Sequence, residues 1–233
     1  RQAKKRSADK VQLTRNLILG FLGLLVLGFV TTTFYFSSGL SQNSVPQAGT
    51  DYEVIDGVEL TQPARSLVVE EYFSYSCIHC KNFDPELEEW LTTLPDDVRF
   101  ERKPTAFSRT WSILAQAYYA LEKAEALEGN HEQLFKGIHN GGRMFNSGQD
   151  IADYLDSQSL PAREFMRAFD SRDVSRRLNQ AAEDTRRSGI RAVPTMVVAG
   201  KYRVGMNQGA QRAIEVTDYL LEQERALIQG QSG

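Results

Sequence analysis

The residues best suited to chemistry are the only two cysteines of the chain, Cys77 and Cys80, which stand in the motif CIHC. Two thiols with this spacing can close a disulfide, open it, and pass the oxidised state to another pair of thiols. His79, between them, can donate a hydrogen bond to a thiolate or place a positive charge beside it. The motif therefore points to redox chemistry in which one sulfur forms a mixed disulfide and the other resolves it.

The cysteine pair lies where a predicted strand meets a predicted helix. Residues 66–75, SLVVEEYFSY, are rich in strand-forming types, and residues 83–94, FDPELEEWLTTL, place apolar side chains three and four positions apart. Unpaired N–H groups at the start of a helix stabilise an anion there. We therefore expect the pKa of Cys77 to lie below that of a free thiol. Cys77 is then the nucleophile, and Cys80, one turn further on, is the resolving thiol.

Other interpretations of the pair are weaker. A disulfide across two residues closes so short a loop that it restricts the unfolded chain very little. A zinc site would need two more ligands, and His79, His131 and His139 do not have the spacing of a zinc-binding motif. The sequence thus predicts no metal site and no organic cofactor, and an inert or purely structural pair is the remaining alternative.

The N-terminal region predicts a membrane anchor. Residues 17–36 contain no charge and are long enough to cross a bilayer as a helix. Six of the 27 basic residues but only one of the 30 acids lie in residues 1–15, so residues 1–16 are predicted to form a basic cytoplasmic head. A cleavable signal peptide is the alternative, although this apolar run is longer than usual. Residues 37–50 are small and polar and predict a flexible linker, and an apolar run behind the basic head argues against nucleic-acid binding.

The remaining residues, 51–228, predict one α/β domain. Residues 98–103 indicate a second strand, and the long stretch at about 105–188 has almost no strand signal and breaks into helical segments. Strand signals return at residues 195–204, and a helix is expected over 208–228. This order predicts a mixed sheet with helices gathered in an insertion.

These features together resemble the DsbA family of thiol:disulfide oxidoreductases, which have the thioredoxin fold. The resemblance covers roughly residues 51–228, and its most specific parts are EEYFSYSCIHCKNF (70–83) and GIRAVPTMVVAGKYRV (189–204). It implies a thioredoxin-like mixed sheet with an inserted helical domain, preceded here by one N-terminal transmembrane helix.

The resemblance also implies roles for residues around the cysteines. Pro194 is expected to be cis and to pack against the disulfide. The backbone of Val193 is expected to pair with a bound peptide, with Ile78 and Thr195 at the same substrate-binding surface. Glu71, six residues before the first cysteine, matches the family's buried acid, which carries protons to and from the resolving thiol.

The acid pair before the cysteines and the residue between them each carry a further expectation. Consecutive side chains of a strand point to opposite faces, so Glu70 and Glu71 cannot both point inward. Ile78 stands where proline is commonest in DsbA itself, which leaves the extent of the pKa depression of Cys77 open.

The sequence therefore predicts a protein thiol:disulfide oxidoreductase, single-pass in the inner membrane of a Gram-negative cell, with its catalytic domain in the periplasm. Its partners would be secreted or periplasmic proteins with thiols or disulfides, and the family implies re-oxidation by a quinone-linked membrane protein. Two other functions stay open. The pair could act as a disulfide reductase or isomerase, or the domain could be a peptide-binding chaperone or scaffold with incidental redox activity.

Overall fold

The computed structural model of the protein describes residues 2–37, 45–62, 64–156 and 160–230, and within the first range it describes only the side chains of residues 15–33. The chain divides into two compact units, Arg1–Val45 and Pro46–Gly233, which are described one at a time. Half of the predicted linker, residues 38–44, lies outside the described residues.

The first unit contains one long helix, α1, over Gln2–Ser37. Its segment Arg15–Thr33 has 19 residues, a mean hydropathy of 1.9 and no buried residue. It is long and apolar enough to cross a bilayer, and it overlaps the predicted span at 17–36. A signal sequence meets the same criteria, so the helix is a candidate for either.

The second unit contains a five-stranded mixed sheet with the strand order β1-β5-β4-β2-β3. Its strands are β1 (Glu53–Val54), β2 (Leu67–Phe73), β3 (Val98–Pro104), β4 (Thr195–Val198) and β5 (Tyr202–Gly205). The central β2 is parallel to β3 and antiparallel to β4, and the remaining pairs are antiparallel. The predicted mixed sheet is confirmed, and β1 is an addition because two residues give no periodic signal in a sequence.

Helices cover the sheet and form the insertion. They are α2 (Ile78–Leu91), α3 (Arg109–Lys123), α4 (Leu127–His139), α5 (Gly148–Asp156), α6 (Ala162–Phe169), α7 (Arg172–Arg187) and α8 (Ala210–Gly230). As the fold class predicts, α3 to α7 lie between β3 and β4. Helix α4 is kinked at its start, where Gly129 has a φ of 74°.

Helix α2 begins earlier than its apolar pattern indicates. The periodic side chains start at Phe83, whereas the helix starts at Ile78 and includes Cys80. The difference arises because most of the first turn faces solvent and the active-site loop, so apolar spacing does not mark it. Cys77 is thereby fixed as the residue that caps the helix.

The core has two main parts that meet near the cysteines. One lies between the sheet and helices α2 and α8 and includes Val69, Leu87 and Leu220. The other fills the helical insertion and includes Phe73 and Cys80. Alternate residues of β2 share a face, so Glu71 lies on the same face as Val69 and Phe73. Its side chain therefore lies under α2, next to both parts of the core.

Candidate active site

Cys77 sits at the junction of β2 and α2 as the N-cap residue of the helix. Its backbone is extended, with φ −92° and ψ 118°, and its carbonyl accepts a hydrogen bond from Lys81 N at 3.1 Å. Cys77 is partly exposed whereas Cys80 is 0% exposed, and both are free thiols. The first sulfur can be reached from solvent and the second cannot.

The two thiols have opposite pKa shifts. The pKa of Cys77 is lowered to about 6, first because the thiol of Cys80 donates a hydrogen bond to its sulfur, and further because the backbone N–H groups of Cys80 and His79 point at it. Burial opposes this shift, and the charge of His79 adds to it. The pKa of Cys80 is raised, chiefly by burial and then by Cys77 itself. The helix start contributes as the sequence predicts, but the neighbouring thiol contributes more.

Val193 and Pro194 face Cys77 from the loop before β4. The peptide bond between them is cis, as the family resemblance implies. The Cys77 thiol donates a hydrogen bond to the carbonyl oxygen of Val193 at 3.4 Å. A thiolate cannot donate this bond, so ionisation of Cys77 leaves the carbonyl without that donor.

A groove of about 1010 Å³ runs along this side of the cysteine pair. Its walls include His79, Val193, Pro194 and Thr195 among the residues singled out from the sequence. The Thr195 hydroxyl donates to the carbonyl oxygen of Ala192 at 2.8 Å, so its side chain is held against the backbone of this loop. Ile78 is 45% exposed and lies outside the groove walls.

Glu71 is the inward-pointing acid of β2, as the alternation of the strand allows. Its side chain is 2% exposed and accepts a hydrogen bond from Arg102 Nε at 3.1 Å. Glu70 points the other way and pairs with Lys103 Nζ at 3.4 Å. Burial raises the pKa of Glu71 to about 7 against the opposing charge of Arg102. The charge of Glu71 in turn raises the pKa of Cys80.

A network of buried charges continues from Glu71, and sequence reasoning missed it. Arg102 Nη2 donates to Asp84 Oδ1 at 3.1 Å and to Glu88 Oε1 at 2.7 Å. One signal was present in the sequence, since Asp84 lies four residues after Cys80 and therefore on the same face of α2. The position of Arg102 on the neighbouring strand gives no such signal.

The described residues offer no metal centre at this site or elsewhere. Among the described side chains, those of residues 15–33, 45–62, 64–156 and 160–230, no three His, Cys, Asp or Glu converge as ligands. The groups described at this site are the two sulfur atoms, the amides at the start of α2 and the buried acid network.

Comparison with known proteins identifies the family. Residues 68–221 match the family model of the DSBA-like thioredoxin domain. The chain belongs to the DsbA family. It is 33% identical over 210 residues to the thiol:disulfide interchange protein DsbA of Azotobacter vinelandii, covering 87% of this chain and 98% of that protein. It is 32% identical over 182 residues to the protein of the same name from Pseudomonas aeruginosa, covering 77% and 86%.

Solved structures of DsbA proteins show the same fold. The crystal structure of Pseudomonas aeruginosa DsbA superposes with a TM-score of 0.74 at 30% identity, over 79% of this chain and 97% of that one. The oxidoreductase DsbA from Xylella fastidiosa superposes with a TM-score of 0.72 at 29% identity, over 78% and 100%. This DsbA-family chain is therefore a protein thiol:disulfide oxidoreductase with a thioredoxin-like fold.

Proposed function

We propose that this DsbA-family protein donates disulfides to secreted proteins, using Cys77 as the attacked sulfur and Cys80 as the leaving thiol. The observation that carries the proposal is the contrast between the two sulfurs. Cys77 is accessible and has a pKa of about 6, while Cys80 is buried and has a raised pKa. A pair with one stabilised thiolate favours its reduced form and therefore gives up its disulfide readily.

In the first step a client thiolate attacks Cys77 Sγ of the oxidised pair. A bond forms between the client sulfur and Cys77, the bond between Cys77 and Cys80 breaks, and Cys80 leaves with the electron pair. Because the pKa of Cys80 is raised, this sulfur needs a proton, and we assign that proton to Glu71, whose pKa of about 7 makes it a suitable donor.

In the second step another client thiolate attacks the client sulfur of the mixed disulfide. The client disulfide forms, and Cys77 leaves as a thiolate that accepts the N–H groups at the start of α2. Two electrons have then passed from the client to the cysteine pair. Both client thiol protons go to solvent, and the proton of Glu71 is now on Cys80. Regeneration needs an oxidant, for which we propose a quinone-linked membrane protein.

The groove beside Cys77 is proposed to hold the client as an extended peptide. In the oxidised pair Cys77 has no thiol hydrogen, so the carbonyl of Val193 lacks the donor that it has in the reduced protein and is free to accept a hydrogen bond from client backbone. Pro194 and Thr195 line the same groove, and His79 lies at its edge beside the sulfur. The exposed Ile78 adds an apolar contact next to the attacked atom.

We propose the inner membrane as the location, with the catalytic unit in the periplasm. The length and hydropathy of Arg15–Thr33 and the excess of basic residues before it support this orientation. Protease added to spheroplasts is expected to digest the catalytic unit while the chain stays in the membrane fraction. Recovery of a shortened soluble form would instead identify the helix as a cleaved signal.

A trapping experiment tests the function. The Cys80→Ser variant, expressed as the full chain, keeps Cys77 as a lone thiolate that attacks a client disulfide and so forms the same mixed disulfide in the reverse direction. Without Cys80 to displace the client, it is expected to accumulate covalent adducts with secreted cysteine-containing proteins. Cys77→Ser is the matched control and should capture none. If Cys80→Ser captures nothing under conditions where the natural pair is active, the proposed donation is wrong.

The reduction potential separates donation from the reverse reaction. A potential near that of thioredoxin would favour a reductase or isomerase, because the disulfide of such a pair is stable and its dithiol readily reduces client disulfides. Persistence of the cellular function when both cysteines are serine would favour a chaperone or scaffold.

A further inference from the structure

One face of α4 holds the segment that carries the nucleophile. His131, Phe135 and His139 recur at every fourth position and therefore lie on the same face of the helix. All three contact Tyr75, two residues before Cys77. The Tyr75 hydroxyl lies 2.8 Å from His131 Nδ1, its ring centroid lies 4.9 Å from that of Phe135, and its carbonyl oxygen accepts from His139 Nε2 at 2.8 Å.

His131 also connects this segment to the acid network, since its Nε2 lies 3.0 Å from Asp84 Oδ1. An ionised carboxylate can only accept, so Nε2 carries the hydrogen, and in the neutral ring Nδ1 accepts from the Tyr75 hydroxyl. Both partners are consistent with this assignment. Burial lowers the pKa of His131, which is 8% exposed, and burial raises the pKa of Tyr75. The histidine is thus neutral and the phenol keeps its proton.

Several carboxyl groups share the single guanidinium of Arg102, whose side chain is 11% exposed. Glu88 is largely exposed, whereas Glu71 and Asp84 are buried. Of these two, Asp84 accepts hydrogen bonds from both Arg102 and His131. Burial alone would raise the pKa of Asp84, but these two partners outweigh it, so the pKa is lowered. Glu71 accepts from Arg102 among the described residues, and its pKa is raised. Asp84 thus has one side-chain donor more than Glu71 and is slightly less buried, at 8% exposed against 2%.

We propose that His131 is a positioning residue for disulfide exchange: by donating to Asp84 it keeps that carboxylate on Arg102, which leaves Glu71 as the carboxyl that exchanges a proton with Cys80. The inference rests on the proposed function, in which Cys80 leaves as a thiolate. When the disulfide opens, the proton of Glu71 moves to Cys80 Sγ and the new carboxylate remains beside Arg102. When the disulfide closes, the same proton returns.

Each element packed against His131 contributes charged or titratable groups that face it. Asp84 and Glu88 come from α2, Arg102 from β3, and Tyr118 from α3, with its ring centroid 6.2 Å from that of His131. Tyr75 comes from the loop before α2. Burial raises the pKa of Tyr118, so the phenols stay neutral and the charges that act on the histidine are those of the carboxylates and the guanidinium.

The cleft between α2 and α4 gives this network contact with water. It has a volume of about 910 Å³, and Asp84, Arg102 and His131 line it together. A proton lost from the network can therefore be replaced from solvent through this cleft. The groove beside Cys77, by contrast, is proposed to hold the client.

The test compares His131→Leu with His131→Gln in the full-length reduced protein in detergent micelles. The titration midpoint of Glu71 is followed by carbon-13 NMR of labelled glutamate carboxyls, with Glu71→Gln used to assign the signal. Leucine removes the donor to Asp84, so Asp84 competes with Glu71 for the proton that Glu71 otherwise holds. The Glu71 midpoint is therefore expected to fall by about one pH unit. Glutamine keeps a neutral donor and is expected to hold the midpoint within about 0.3 units of the unchanged protein.

Tyr75→Phe is the matched structural control, because it removes the other hydrogen bond of His131 and leaves the one to Asp84. Its Glu71 midpoint is expected to stay in place, and a fall as large as that of His131→Leu would show that packing is responsible and overturn the proposal. If His131→Leu does not fold, Asp84→Asn replaces it, since it removes the charge that His131 maintains. A Glu71 midpoint that does not fall in the folded variant overturns the proposal.

The outcome is separable from that of the proposed function. Capture of clients by Cys80→Ser together with an unmoved Glu71 midpoint in His131→Leu would reject the role of His131 and leave disulfide donation intact. A failure of capture with a shifted midpoint would reject donation, although the acid network would behave as described.

Discussion

The two ends of the CIHC motif lie in contrasting surroundings. Around Cys77 the decisive groups are backbone N–H groups, one carbonyl and the neighbouring thiol, and the residue is partly exposed. Around Cys80 they are burial itself, the neighbouring Cys77 and the charge of Glu71, which accepts a hydrogen bond from Arg102. The first environment stabilises an anion, and the second keeps a thiol neutral.

This contrast shows how one pair of identical residues acquires two roles. At pH 7 a thiol with a pKa of about 6 is about nine-tenths ionised, whereas a free thiol is ionised to a few per cent. The buried thiol stays protonated at the same pH. The exposed sulfur is therefore the one that we propose a client attacks.

The largest expected effect comes from removing the cation on the Cys80 side. Arg102→Met leaves Glu71 and Asp84 buried without a counter-charge, and breaking such a pair costs about 3–5 kcal/mol of unfolding free energy. Because both acids then gain protons more easily, the loss should be greatest at pH 8 and shrink towards pH 5. Urea unfolding at several pH values measures it.

Arg99→Met on the same strand is the control for that substitution, since its side chain is 69% exposed and its loss should change stability by less than about 0.5 kcal/mol. Equal losses for the two variants would show that the buried network does not stabilise the fold. A large shift of the Cys77 midpoint in Arg102→Met would show that the two environments are not independent.

A smaller effect of opposite sign is expected from Glu71→Gln. The folded pKa of Glu71 is about 7, above the ordinary 4.5, so the folded protein binds the extra proton and loses stability as pH rises from 4.5 to 7. Glutamine removes this dependence and is expected to raise the unfolding free energy by up to about 3 kcal/mol at pH 8, with no gain at pH 4. Denaturant unfolding of the reduced protein measures both values.

The exposed Glu89→Gln on α2 is the matched charge control and should leave the pH dependence as it is. A gain for Glu71→Gln that is the same at pH 4 and pH 8 would mean that the raised pKa is not its cause, and the role of Glu71 as a proton donor near neutral pH would be lost.

The smallest effect tests the Cys77 side. Because the Cys80 thiol is the main donor to the Cys77 sulfur, Cys80→Ala is expected to raise the pKa of Cys77 by about one unit, or about 1.4 kcal/mol. Cys80→Ser keeps a hydroxyl donor and should leave the pKa near 6. Thiolate absorbance at 240 nm against pH gives both midpoints, and equal values would assign the depression to the helix amides alone.

Much of the site could be predicted because it depends on local structure. The strand pattern, the helix pattern and the position of Cys77 between them indicate an N-cap thiol with a depressed pKa, and the structure confirms that shift. The family resemblance supplied the cis Pro194 and the acid Glu71. Strand alternation alone allowed only one inward acid, and tertiary structure decided that it is Glu71 rather than Glu70.

The rest could not be predicted because it is assembled from distant segments. Asp84 and His131 are 47 residues apart along the chain, and Glu71 and Arg102 are 31 apart. Each has an ordinary sequence context in which a charged or polar residue on a helix or strand is most simply a surface residue. Only packing of α4 against α2 turns His131 into a donor to a buried acid.

By itself, the sequence determined the reactive pair, its strand-to-helix junction, the mixed fold and the apolar N-terminal helix, because spacing and periodicity are local properties of a chain. The tertiary structure decided which acid is buried, which cation compensates it and which histidine donates to Asp84. Those choices depend on burial and on distances between segments, and burial is what makes a charge or a proton costly enough to be controlled.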